Sequence, residues 1–149
     1  MITSFHVCAI SVALSLGATV SGADGPRITT NAPIRNFSLP SFNEKGFRTM
    51  LIRGSEAMLL NSNEVSLSNM TLTLFSGEAD ARVETVFVSP SARVLVAQRI
   101  VFGEETVRVV NDDFELLGTD WRYDDAKKTI LISRHARVVF HAELKDVVK

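Results

Sequence analysis

The feature that most restricts this chain is a two-residue alternation of apolar and polar side chains, in short runs separated by polar turns. It is densest between Glu105 and Phe140. Val107 and Val109 flank Arg108 there, and Asn111-Asp112-Asp113 follows as a turn. Phe114 and Leu116 begin a second run, which Gly118 interrupts, and Trp121 and Tyr123 fall on one face. Asp124 to Lys127 reverses the chain. Ile130 and Ile132 then alternate with Thr129, Leu131 and Ser133, and Arg137-Val138-Val139-Phe140 closes the stretch. Successive side chains of a strand point to opposite faces, so this pattern predicts an antiparallel meander.

The upstream sequence predicts more of the same sheet. Ile34 to Leu39 reads as a strand that Pro40 stops or marks as an edge, because proline cannot donate to a ladder. Phe47 to Arg53 places Met50 and Ile52 on one face, Gly54 breaks it, and Ala57 to Leu60 resumes. Met70, Leu72 and Leu74 against Thr71 and Thr73 form the clearest two-faced run. Val83 to Val88 is expected to end at Ser89-Pro90, and Arg93 to Phe102 to bend near Gln98. Spacing of about 8–12 residues implies ten or more strands, in a sandwich, jelly roll or barrel. Gly54-Ser55-Glu56-Ala57 and Gly118-Thr119-Asp120-Trp121 are loosely alike, each a glycine step between strands.

The N-terminus differs in kind. Residues 1–23 contain no Asp, Glu, Lys or Arg, Val7 to Val20 is mostly apolar, and Ser21-Gly22-Ala23 ends it with small residues. This predicts a secretory signal peptide cut before Asp24, with an uncleaved anchor as the alternative. The run is shorter than the roughly 20 apolar residues that span a bilayer. Residues 24–33 read as a flexible lead-in and 34–149 as a single domain. Cys8 lies inside the leader and is the only cysteine, so no disulfide is expected after cleavage. A net charge of −1 with interspersed signs excludes a nucleic-acid footprint.

Catalytic signals are weak. There is no Gly-x-Ser-x-Gly, and nothing selects a carboxylate pair. His135 and His141 would lie about 20 Å apart on a straight strand, too far for one metal. Asp112, Asp113, Asp120, Asp124 and Asp125 lack the spacing of a calcium loop and read as turn residues. Arg93, Arg99, Arg108, Arg122, Arg134 and Arg137 read as a solvated face, or in part as contacts to lipid phosphates. No cofactor and no metal are expected.

The chain also resembles the OstA-like and LptC-like proteins of lipopolysaccharide transport. The residues carrying this are Gly54-Ser55-Glu56-Ala57 with the Val65 to Leu72 run, then Leu117 to Asp124, Thr129 to Ile132 and Arg137 to Phe140. The resemblance implies an all-β, curved antiparallel β-jellyroll, an open roll of short strands, in the periplasm. It implies a non-enzymatic bridge protein that binds lipopolysaccharide or a related glycolipid. The expected partners are other Lpt-type β-jellyrolls joined by edge strands and, for the anchored branch, an inner-membrane ABC transporter. Pattern and resemblance together put Met50, Ile52, Leu72, Leu74, Val107, Val109, Phe114, Leu116, Trp121, Ile130, Ile132, Val138 and Phe140 on the inward face, as candidate lipid contacts. Ile34 to Leu39 and Val138 to Leu144 are the expected open edges. The competing reading is an exported β-sandwich that binds protein and has a closed core.

Overall fold

The computed structural model of the protein describes residues 32–141. The leader, most of the lead-in and the chain beyond His141 lie outside them. Every regular element among the described residues is a strand: β1 (Ile34–Phe42), β2 (Arg48–Leu59), β3 (Glu64–Phe75), β4 (Val83–Leu95), β5 (Ile100–Gly103), β6 (Val107–Asn111), β7 (Phe114–Asp124) and β8 (Thr129–Phe140). They form one eight-stranded antiparallel sheet.

Spatial order follows chain order, so the sheet is a meander. β5 and β6 lie end to end in one lane between β4 and β7. β5 pairs with Arg93–Leu95 and Trp121–Asp124, and β6 with Thr85–Val88 and Glu115–Gly118. The four pairings close a small ring, β4–β5–β7–β6, with the break between β5 and β6 at its middle. β1 pairs only with β2 and β8 only with β7 among the described residues, so these two strands are the edges.

The strands are fewer and longer than the sequence pattern suggested. β2 runs through Gly54, and β4 runs through Ser89-Pro90 to Leu95. β1 continues past Pro40, which pairs with Leu51 on an edge strand, where a missing outward N–H costs nothing. The Arg93 to Phe102 run is two strands joined by a turn. Asn63 holds that turn, its carbonyl accepting from Val96 N and its side-chain oxygen from Ala97 N.

A line across the sheet explains the long strands. Asn36, Asn69, Asp120 and His135 have φ of 53°, 49°, 54° and 52°. Register places Asn36 and Asn69 opposite Ser55 of β2, and Asn69 opposite Pro90 of β4. On the far side Asp120 N donates to Glu104 O, and the β7–β8 register shifts between Leu117 and Thr119. Such residues make bulges, which bend a strand and exchange its faces. The inward side chains accordingly step by three across the line, from Gly54 to Ala57, Leu67 to Met70, Ser89 to Ala92 and Gly118 to Trp121. The loosely similar glycine steps are therefore two crossings of one line. Side chains serve the interrupted ladder there: Asn69 Nδ2 donates to Ser55 Oγ at 3.0 Å, and Ser55 Oγ to Ser68 O at 3.2 Å.

The sheet folds along this line, and the halves of its strands face each other over one core. Phe87, from the first half of β4, meets Tyr123, from the second half of β7. Ile52, Leu67, Leu72, Val107, Val109 and Trp121 fill the space between.

Candidate functional site

The two halves do not meet everywhere. A cleft of about 440 Å³ lies between the Thr49 end of β2, the Leu74 end of β3, the start of β4 and the β7–β8 hairpin. Its apolar lining includes Leu74, Phe87, Val109, Phe114 and Ile130, with Tyr123 among them and Glu84 and Lys128 as its charged groups. A smaller recess of about 110 Å³ opens on the β1 side, between Leu39, Met50 and Ile52 and the facing Val94, Val96, Arg99 and Val101. Met50 and Leu74 are cross-strand partners, so one residue row separates the openings.

A buried carboxylate ties the openings together. Asp125 follows β7 in the hairpin to β8, and its side chain is fully buried. One carboxylate oxygen accepts from Arg99, whose side chain lines the recess. The other accepts from Lys128, which lines the cleft, and from Tyr123 OH at 3.2 Å. Burial opposes the charge, but Lys128 and Arg99 outweigh it and hold this carboxyl below its ordinary value. Burial, reinforced by the adjacent carboxylate, pushes the Tyr123 phenol up. Arg99 and Lys128 themselves have φ of 57° and 53°, so both cations leave tight left-handed turn positions. Asp125 does sit in the turn that its DDAKK context suggested, but its side chain is turned into the protein. Its first partner lies 26 residues away in sequence, beyond the reach of local pattern.

The thirteen candidate inward residues separate into three groups. Ile52, Leu72, Val107, Val109 and Trp121 are core residues at 2% exposure or less, and Met50 is buried beside them. Leu74, Leu116, Ile130 and Ile132 are partly buried against that core, and Phe114 is partly buried at the cleft. Leu74, Val109, Phe114 and Ile130 also line the cleft, while Met50 and Ile52 line the recess. Val138 and Phe140 pair with Leu116 and Phe114 and share their face, yet they are 46% and 71% exposed. This end of β8 is left open among the described residues, and the Phe140 and Phe114 rings meet edge to face with centroids 6.4 Å apart. The pattern missed Phe87, Tyr123, Lys128 and Asp125. The alternation at Phe87 and Tyr123 was visible, but not that they meet.

The remaining polar candidates are dispersed. Asp112 and Asp113 sit at the β6–β7 turn, and Asp124 and Asp125 at the opposite end of β7. His135 accompanies Thr119 on the fold line. No group of His, Cys, Asp or Glu among the described residues is arranged to hold a metal. Arg93, Arg108 and Arg134 pair with Glu64, Glu115 and Asp120 on the surface. Of the six candidate arginines, Arg99 is the one that lines either of the two openings described. The chain matches no known family model and no curated protein.

Proposed function

We propose that this chain is an exported periplasmic carrier for the acyl part of lipopolysaccharide or a related glycolipid. In this reading the folded meander is an open, curved β-jellyroll, and lipid tails lie between its halves. The supporting observation is the apolar cleft at the open side of the fold, with the uncovered face of β8 beside it. Burying a methylene is worth about 0.8 kcal/mol, so such a surface retains lipid without a catalytic group. The chain would pass lipid along passively, and a partner ATPase would supply direction. Other β-jellyroll chains would join through the edges β1 and β8, because an unpaired edge is a template for another strand.

The cleft volume sets a condition on this reading. It lies within the roughly 300–1,000 Å³ range of small-molecule sites. A glycolipid with several acyl chains needs more room, so the halves must part further, or some tails must lie over β8. The sealed centre of the core, with Met70, Leu72 and Val107 at 0% exposure, favours the second reading, a closed protein-binding module.

Native mass spectrometry of the chain from Asp24 onward, after incubation with lipopolysaccharide, separates the readings. A photo-reactive residue at Phe114 reports the place of contact. A retained glycolipid crosslinked at Phe114 supports the carrier. A folded chain that retains none leaves the closed module.

A further inference from the structure

Arg99 and Lys128 hold opposite oxygens of one buried carboxylate, and each stands at an opening of the apolar interior. Asp125 can neutralise only one of them, so the trio carries a net positive charge. Their side chains remain 53% and 60% exposed. A guanidinium has five N–H donors and an ammonium three, so both keep donors free after binding Asp125. The shared carboxylate holds the two cations near each other, at less entropic cost than for free side chains. Asp124 is engaged by Lys127 at 3.9 Å, and Glu84, on the far wall of the cleft, by Arg82 at 3.5 Å. Glu84 would repel an anion from its own wall, which leaves the Lys128 side for it.

We propose that Lys128, at the mouth of the cleft, and Arg99, on the recess side of their shared carboxylate, form an anionic headgroup site, selecting amphiphiles that join a phosphate or carboxylate to an alkyl chain. The head sits on the two cations, and the tail follows Ile130, Phe114 and Leu74 inward. Asp125 is a positioning residue that holds the pair in place. The inference rests on the cleft as the lipid site and adds the chemistry by which that site chooses its ligand.

The test uses the chain from Asp24 onward and three probes: dodecyl phosphate, the neutral dodecyl maltoside and inorganic phosphate. Calorimetry should show dodecyl phosphate binding at least tenfold tighter than the maltoside, and weakening as salt rises, while the maltoside affinity stays constant. Lys128→Gln and Arg99→Gln should each remove most of that preference, and Lys128→Arg should retain it. Equal affinity for the two detergents, or a preference insensitive to salt in the unaltered chain, overturns the proposal even if a variant fails to fold. Inorganic phosphate binding as tightly as dodecyl phosphate overturns the placement of the tail. Failure of lipopolysaccharide to bind, with the dodecyl phosphate preference intact, would count against the glycolipid reading alone. Retained lipopolysaccharide with no headgroup preference would count against this site alone.

Discussion

The rings of Phe87 and Tyr123 lie 5.0 Å apart at an interplanar angle of 52°, and they come from opposite halves of the folded sheet. This tilted contact joins the two layers next to the cleft, and the Tyr123 hydroxyl continues it to Asp125. Phe87→Ala should cost about 3–5 kcal/mol, the usual range for losing a buried aromatic ring. Tyr123→Phe keeps the ring and should cost about 1 kcal/mol. Urea unfolding measures both, and equal losses would mean that the ring contact contributes little.

Acid should weaken the fold through Asp125. Its folded pKa is depressed, so its contribution is complete above the unfolded carboxyl value of about 3.9. That contribution is lost as pH falls through the lower, folded value. Asp125→Asn removes this dependence, so the stability gap between the two proteins should narrow from pH 6 down to pH 2. A gap that stays constant over that range would contradict the ion-pair account.

Alkali should act through Tyr123. Its phenol is raised in the fold, so the unfolded chain ionises first, at about pH 10, and stability falls above that point. Tyr123→Phe should flatten the decline. Ultraviolet titration of the folded chain should show a phenol titrating later than free tyrosine.

Gly118 has no room for a side chain. A Cβ placed there would lie 2.3 Å from Ile132 Cγ2. Gly118→Ala should cost at least the 1–3 kcal/mol typical of overpacking. Adding Ile132→Leu, which lacks the Cγ2 branch, should recover part of it, a coupling that a double-mutant cycle measures.

The β8 edge offers a test of assembly. His141 N donates to Asp113 O, and alternation along an antiparallel ladder then turns the Val139 N–H towards β7 and the Val138 N–H outward. Proline at Val139 would damage the sheet itself. Val138→Pro should leave the monomer folded and reduce its light-scattering mass to that of a monomer, if copies pair through this edge. A folded Val138→Pro chain of unchanged mass argues against β8 as the joining edge.

Local alternation made the strands readable, and it identified both sides of the core, at Leu72 and at Val107 and Val109. It failed where a strand carried residues that usually end one. Gly54 and Pro90 looked like breaks because each sits beside a bulge, and in isolation a bulge resembles a turn. The turn after Leu95 was legible only as a bend near Gln98, because Ala97-Gln98-Arg99 contains no Gly, Pro, Asn or Asp, and Asn63 stabilises it from 34 residues away. For the site, alternation put Val138 and Phe140 on one face with Leu116 and Phe114 but could not show that nothing among the described residues covers them. Asp125 was illegible for a similar reason, since its burial depends on Arg99 from another hairpin.

The row of left-handed residues also guards against misalignment. In an ordinary two-faced sheet, a strand that slips by two residues keeps its apolar side inward and loses little. Here a slip of two would carry Asn69 away from Ser55 and put the bend of β3 out of line with the bends of its neighbours, and keeping the bend in line instead would turn Leu67 or Met70 outward. The wrong alignments are thereby made costly in every strand that crosses the row, and the chain has one pairing to settle into.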